Sequence, residues 1–167
     1  LLVNPDGSYV EQLLYLETRE GNQMFHETGN WSSTENVLTL TNSKAERTYF
    51  AQSPDNQSIT LLDLEGKAIE SSMNHTLKQV TPSKKRGEYR YMADAAVFTE
   101  CGSGRKYATS GIELEKAYSD TDVDGGTPVY LEVDGFYSIR PSMEDGQFDS
   151  AFIPTGNIQF DKTRSCK

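Results

Sequence analysis

The sequence predicts an all-β protein built from two small domains. Short strand-like runs recur along the chain between clusters of Ser, Asn, Asp and Gly, the pattern of an antiparallel sandwich or barrel. One stretch, Thr81-Pro82-Ser83-Lys84-Lys85-Arg86-Gly87, interrupts it with a Pro, a Gly, three consecutive cations and no apolar side chain. At 167 residues, a division there leaves two pieces each large enough to fold alone.

The first element is a hairpin. Asn4-Pro5-Asp6-Gly7 separates Leu1–Val3 from Ser8–Leu16, with Pro presetting φ and Gly supplying a positive φ. Further strands are expected at Met24–Trp31, Val37–Thr41, Thr48–Gln52, Ser58–Leu64 and His75–Val80. Residues 81–87 read as a solvated linker rather than a lipid-binding or nucleic-acid-binding patch. After it, Glu88 to about Phe98 reads as one long strand. Ser110-Gly111-Ile112-Glu113 has the form of a capping box, and Leu114, Ala117 and Tyr118 follow at helical spacing, which predicts one short helix. Val129, Leu131 and Val133 alternate with polar neighbours, and Asp134-Gly135 signals a two-residue turn into Phe136–Arg140. Strands around one short helix fit a five-stranded barrel of the OB type.

The net charge of −9 argues against nucleic acid as a partner, since the summed field repels phosphates. No apolar run reaches the length of a membrane-spanning helix. The chain opens on Leu1-Leu2-Val3 without an initiator Met, so any targeting segment is expected upstream. Catalytic patterns are thin, and the chain is not expected to be an enzyme. His26 and His75 have no nucleophile at a meaningful spacing, and Gly102-Ser103-Gly104 lacks the flanking pattern of a serine elbow. Asp120, Asp122 and Asp124 resemble the start of a calcium loop, but Leu131 stands where the bidentate Glu belongs. Met24 and His26, like Met73 and His75, alternate on a strand and carry ligands suited to copper(I); they read as packing and surface residues. No metal site is assigned. The sequons at Asn30, Asn56 and Asn74 matter only in a eukaryotic secretory setting.

Two cysteines, Cys101 and Cys166, stand at the start and end of the C-terminal half. If they pair, closing a loop of 65 residues contributes roughly 4 kcal/mol in the chain-entropy model, and only in an oxidising compartment.

Gly87, Tyr89, Tyr91-Met92-Ala93-Asp94-Ala95-Ala96, Phe98-Thr99, Cys101, Gly104-Arg105, Leu114-Glu115 and Ala117-Tyr118, with Cys166 closing the chain, resemble the C-terminal domain of the NlpE family. Gly29-Asn30-Trp31 and Leu61-Leu62-Asp63-Leu64-Glu65-Gly66-Lys67 resemble segments of its N-terminal domain. The resemblance implies a lipocalin-like antiparallel barrel over 1–80, a linker over 81–87 and an OB-fold domain over 88–167. It implies a periplasmic location at the outer membrane, through an upstream lipid anchor, and a Cys101–Cys166 disulfide. It also implies a sensor of surface adhesion, lipoprotein misrouting or failed disulfide formation that signals to an inner-membrane kinase of the Cpx type. The family's copper link is carried by a Cys-x-x-Cys motif upstream of Leu1, so copper is expected with the full-length protein and no cofactor with this chain. Without the family's first strand, the N-terminal barrel has an open edge through which two copies can pair. The alternative is a binding module whose first barrel holds a small apolar ligand or a copper ion.

Calorimetric titration of copper(I) into this chain should therefore give weak binding or none. Tight stoichiometric binding that is lost on changing His26 or Met24 would reverse that reading.

Overall fold

The structure is a computed structural model that describes residues 1–166, folded as two compact units, Leu1–Gln79 and Val80–Lys167. The first is a seven-stranded antiparallel meander: β1 (Leu2–Val3), β2 (Ser8–Thr18), β3 (Gly21–Thr34), β4 (Val37–Asn42), β5 (Arg47–Gln52), β6 (Ser58–Leu61) and β7 (Thr76–Lys78), each bonded to the next. β1 and β7 are its edges, so the lipocalin-like sheet is open. Gly7, with φ of 86°, closes the first turn by donating to the Asn4 carbonyl at 3.1 Å. Inward-facing Tyr9, Leu38, Leu40 and Phe50 form its core, flanked by Trp31, Ile59 and Leu61.

The second unit is a closed five-stranded barrel of β8 (Ser83–Met92), β9 (Ala95–Glu100), β10 (Lys106–Thr109), β11 (Val129–Pro141) and β12 (Phe148–Asp161), in the order β10-β12-β11-β8-β9. All neighbours are antiparallel except β10 and β12, and α1 (Ile112–Ser119) lies between β10 and β11. That strand order, with one parallel pair and a helix after the third strand, is the OB arrangement. Tyr89, Phe98, Leu131, Val133 and Phe152 fill the interior, with the Phe98 and Phe152 rings stacked at 4.4 Å. Leu114 and Tyr118 of α1 are buried in the same core, and the Tyr118 hydroxyl donates to the Thr127 carbonyl at 2.7 Å.

Four local expectations are corrected. Residues 83–87 are no linker: they open β8 and pair in register with Leu131–Gly135 of β11. A run of cations can be a strand here because Lys84 and Arg86 lie opposite the carboxylate of Glu132. The long strand from Glu88 is broken by a tight turn at Ala93-Asp94, each with positive φ, in a place with no Gly to announce it. Asp134-Gly135 is not a hairpin turn; β11 runs straight through it with a shift of register against β12. Gly135 is needed there because a Cβ would meet the Ile153 carbonyl and the Phe152 ring at 2.5 Å. Finally, the helix begins after Gly111 and has no side-chain cap, so the capping box does not form.

Gly87 is held just as closely, since a Cβ would sit 2.5 Å from the Phe98 ring and the Thr99 carbonyl. Neither backbone nor core ring can yield cheaply, so Gly87→Ala should destabilise the second unit by about 2 kcal/mol or more. Thermal unfolding should show that loss in the C-terminal transition, with the transition of residues 1–79 unmoved.

Candidate functional site

The two cysteines come together where β9 ends. Cys101 follows Glu100 directly, and its amide donates to the Arg86 carbonyl of β8 at 2.9 Å. Cys166 bonds to it with a Cα separation of 5.0 Å, inside the range of about 4.4–6.8 Å usual for disulfides. The last described segment, Lys162–Cys166, therefore leaves β12 and is tied to β9, with β8 and β11 contacts on the way. An Asx turn starts it, with the Thr163 amide donating to Asp161 Oδ1 at 2.8 Å. Lys162 Nζ donates to the Thr121 carbonyl at 2.7 Å, and the Cys166 amide donates to Glu88 Oε1 at 3.3 Å.

Between these points Arg164 is the anchor. Its guanidinium lies 4.2 Å from the centroid of the Tyr130 ring, with Nη2 donating to the Tyr130 hydroxyl at 2.8 Å and Nη1 to Glu132 Oε1 at 3.0 Å. Glu132 also faces Arg86 at 3.4 Å and Lys84 at 3.7 Å. The Tyr130 hydroxyl donates to it as well, and that bond, with the bond from Arg164 and the charge of Arg86, holds the Glu132 carboxyl below the usual carboxylate range against a smaller burial effect.

A second charged cluster lies next to Cys101 in sequence. Glu100 accepts from Tyr137 at 2.5 Å and from Ser103 at 2.5 Å. Burial pushes the Glu100 carboxyl up, but those two hydrogen bonds and the charges of Lys85 and Arg105 outweigh it and hold the carboxyl low. Lys85 stands 4.9 Å over the Tyr137 ring, which stacks on Tyr107 at 4.2 Å. Ser103, the centre of the rejected elbow, is thus a turn residue bonded to a carboxylate.

Of the remaining sequence candidates, Asp120, Asp122 and Asp124 lie in the loop after α1 of the second unit, and Met24, His26, Met73 and His75 lie in the first. Met24 and His26 share one face of β3, and Gln12 Nε2 lies 3.0 Å from both Met24 Sδ and His26 Nε2. His75 precedes β7. No group of three or more His, Cys, Asp or Glu side chains suited to a metal occurs among the described residues.

The site residues that sequence reasoning did not single out are Glu88, Glu100, Tyr130, Glu132, Tyr137 and Arg164. Their one trace in the sequence is alternation: Lys84 and Arg86, like Tyr130 and Glu132, are two apart and so share the outer face of their strands. Nothing in the sequence pairs those strands with each other or with Arg164.

Residues 1–72 match the family model described as the NlpE N-terminal domain, and residues 79–167 match the NlpE C-terminal OB domain. The chain belongs to the NlpE family. It is 34% identical over 173 residues to lipoprotein NlpE of Escherichia coli strain K12, an alignment covering 99% of this chain and 72% of that protein. The crystal structure titled as that of the Cpx pathway activator NlpE from Escherichia coli shares 33% identity, covering 98% of this chain and 86% of that one, with a TM-score of 0.45.

Because Glu100 and Glu132 titrate below their ordinary value near 4.5 when folded, they stabilise the second unit above that pH, and this contribution is lost as pH falls through the lowered values. The melting temperature of the C-terminal unit should therefore fall as pH drops from about 5 to about 3. In Glu100→Gln, scanning calorimetry should show a shallower fall over the same window.

Proposed function

We propose that this member of the NlpE family is a redox-responsive part of an envelope-stress sensor, and that the Cys101–Cys166 disulfide is its switch. The observation that carries this reading is the way the tail is held. Ordering the five residues Lys162–Cys166 costs about 1–2 kcal/mol of backbone entropy each. Against this stand one ion pair, worth about 0–1 kcal/mol, one cation–π contact on the buried Tyr130 ring, worth about 0.5–2 kcal/mol, and hydrogen bonds from Lys162, Thr163, Arg164 and Cys166, each worth about 0.5–1.5 kcal/mol net. Those contacts at best offset the cost of ordering the tail. The covalent bond holds it, and reduction frees it. The surface released is the outer face of β8 and β11, an order-to-disorder change of the kind signalling proteins use.

The portion that leaves is confined to the residues after β12. Ile158 and Phe160 pack on the barrel core, and Gln159, Phe160 and Asp161 are bonded in register to β11. Lys167 lies outside the described residues.

In this reading the full-length protein sits at the outer membrane through an upstream lipid anchor, facing the periplasm, and signals to a Cpx-type inner-membrane sensor kinase. Its Escherichia coli relative is titled a Cpx pathway activator. Failed disulfide formation is the trigger the tail geometry favours among the three that the family resemblance implies. Copper enters only with an upstream Cys-x-x-Cys. The open edges β1 and β7 offer a route to a homodimer by strand addition.

The test is a reporter of Cpx output in cells making the full-length protein. Cys101→Ser, Cys166→Ser and the double variant should each raise output several-fold at matched protein levels. Unchanged output in all three would reduce the disulfide to a stability brace.

A further inference from the structure

The tail shows what its resting place recognises. We propose that the strip formed by Tyr130, Glu132 and Glu88 on the outer faces of β11 and β8 is a docking seat for an extended, arginine-bearing segment of a partner protein. The chain's own tail occupies the seat while the disulfide is intact. The proposal rests on the redox reading above and adds what the partner must present.

Three features define the seat. Its centre is a plane and a carboxylate at right spacing for one guanidinium: the Tyr130 ring takes the face at 4.2 Å while Glu132 and the Tyr130 hydroxyl accept from two different nitrogens. A lysine ammonium, a point charge without a planar fork, can satisfy the carboxylate but cannot do all three at once. Glu132 is preset for this role, since its side chain is only 15% exposed and the Tyr130 hydroxyl bond orients it. Second, the seat reads backbone as well: Glu88 takes an amide two residues after the arginine, which demands an extended segment. Third, the charge fits. Once Arg164 leaves, Glu88, Glu132 and Asp161, which lies opposite Tyr130 on β12, outnumber Lys84 and Arg86. The net charge of −9 draws in a cationic segment over longer range.

Tethering makes this a competition. A tail fixed by Cys166 faces the seat at an effective concentration in the millimolar range or above, so free segments are excluded. Reduction lengthens and loosens the tether, and the seat becomes available.

The proposal is tested on the full chain by amide chemical shifts. In oxidised Arg164→Ala, where the bond keeps the rest of the tail in place, ethylguanidinium should move the Tyr130 and Glu132 amides towards their wild-type positions. Ethylammonium should act at least fivefold more weakly, and adding Glu132→Gln should abolish the response. In reduced Arg164→Ala, the peptide acetyl-Lys-Thr-Arg-Ser-Ser-amide should shift the same amides, at least fivefold more tightly than its Arg-to-Lys analogue, and it should leave oxidised wild type untouched. Equal responses to the two small cations, or a peptide response no stronger than that of the analogue, would overturn the seat. The redox reading fails separately if reduced wild-type chain keeps the oxidised shifts of Thr163 to Ser165. In that case the seat stands and only its switching is lost.

Discussion

Everything assigned to the second unit depends on β11. This strand is bonded to β8 through Val129–Gly135 and to β12 along most of its length, so it joins one to the other directly. Its register against β12 shifts between Asp134 and Gly135, and at Gly135 any side chain would collide with β12. Its inward residues Leu131 and Val133 are fully buried in the core. Its outward residues Tyr130 and Glu132 hold the tail, and Tyr137 reaches Glu100 beside the disulfide. The same pleat that builds the core thus presents the docking strip, because alternate residues must face opposite ways.

The disulfide acts on a scaffold that is already closed. β10 and β12 complete the barrel through backbone bonds at Ala108 and Thr109, and the aromatic core fills it. Cys101–Cys166 adds a constraint on the denatured chain, worth roughly 4 kcal/mol by loop entropy, and it fixes five residues whose own contacts at best offset the cost of ordering them. One covalent bond therefore has a thermodynamic effect on the whole unit and a local effect on the tail. The local effect is the one a signalling partner can read, because it changes which side chains are exposed without requiring the barrel to open.

The charged groups follow the same division. Glu100 sits close to the disulfide in sequence with donors on both carboxylate oxygens, and Glu132 sits among three cations on the surface. Each is held ionised by its partners, so each supports the oxidised arrangement at neutral pH and withdraws support in acid. The ion pairs are exposed and screened by salt, which is why they guide the tail but do not secure it.

The sequence by itself determined the all-β class, most of the first unit's strands, the short helix and the two cysteines, because these rest on period-two patterning, turn residues and composition, all local signals. It also determined the family, through the residues around Cys101 and at Cys166. It could not tell linker from strand after residue 80: Lys84-Lys85-Arg86 looks like a linker until Glu132, 46 residues after Arg86, is known to lie opposite. Nor could it tell that Asp134-Gly135 continues a strand, since a glycine admits both a turn and a close approach, and only the position of Phe152 and Ile153 decides between them. The Ala93-Asp94 turn has no glycine because the pairing of β8 with β9 imposes positive φ on ordinary residues. The seat of Arg164 belongs wholly to tertiary structure. It joins one side chain from the tail to two on β11 that are themselves set against Lys84 and Arg86 of β8, and that juxtaposition exists only once the barrel has closed and its register is set.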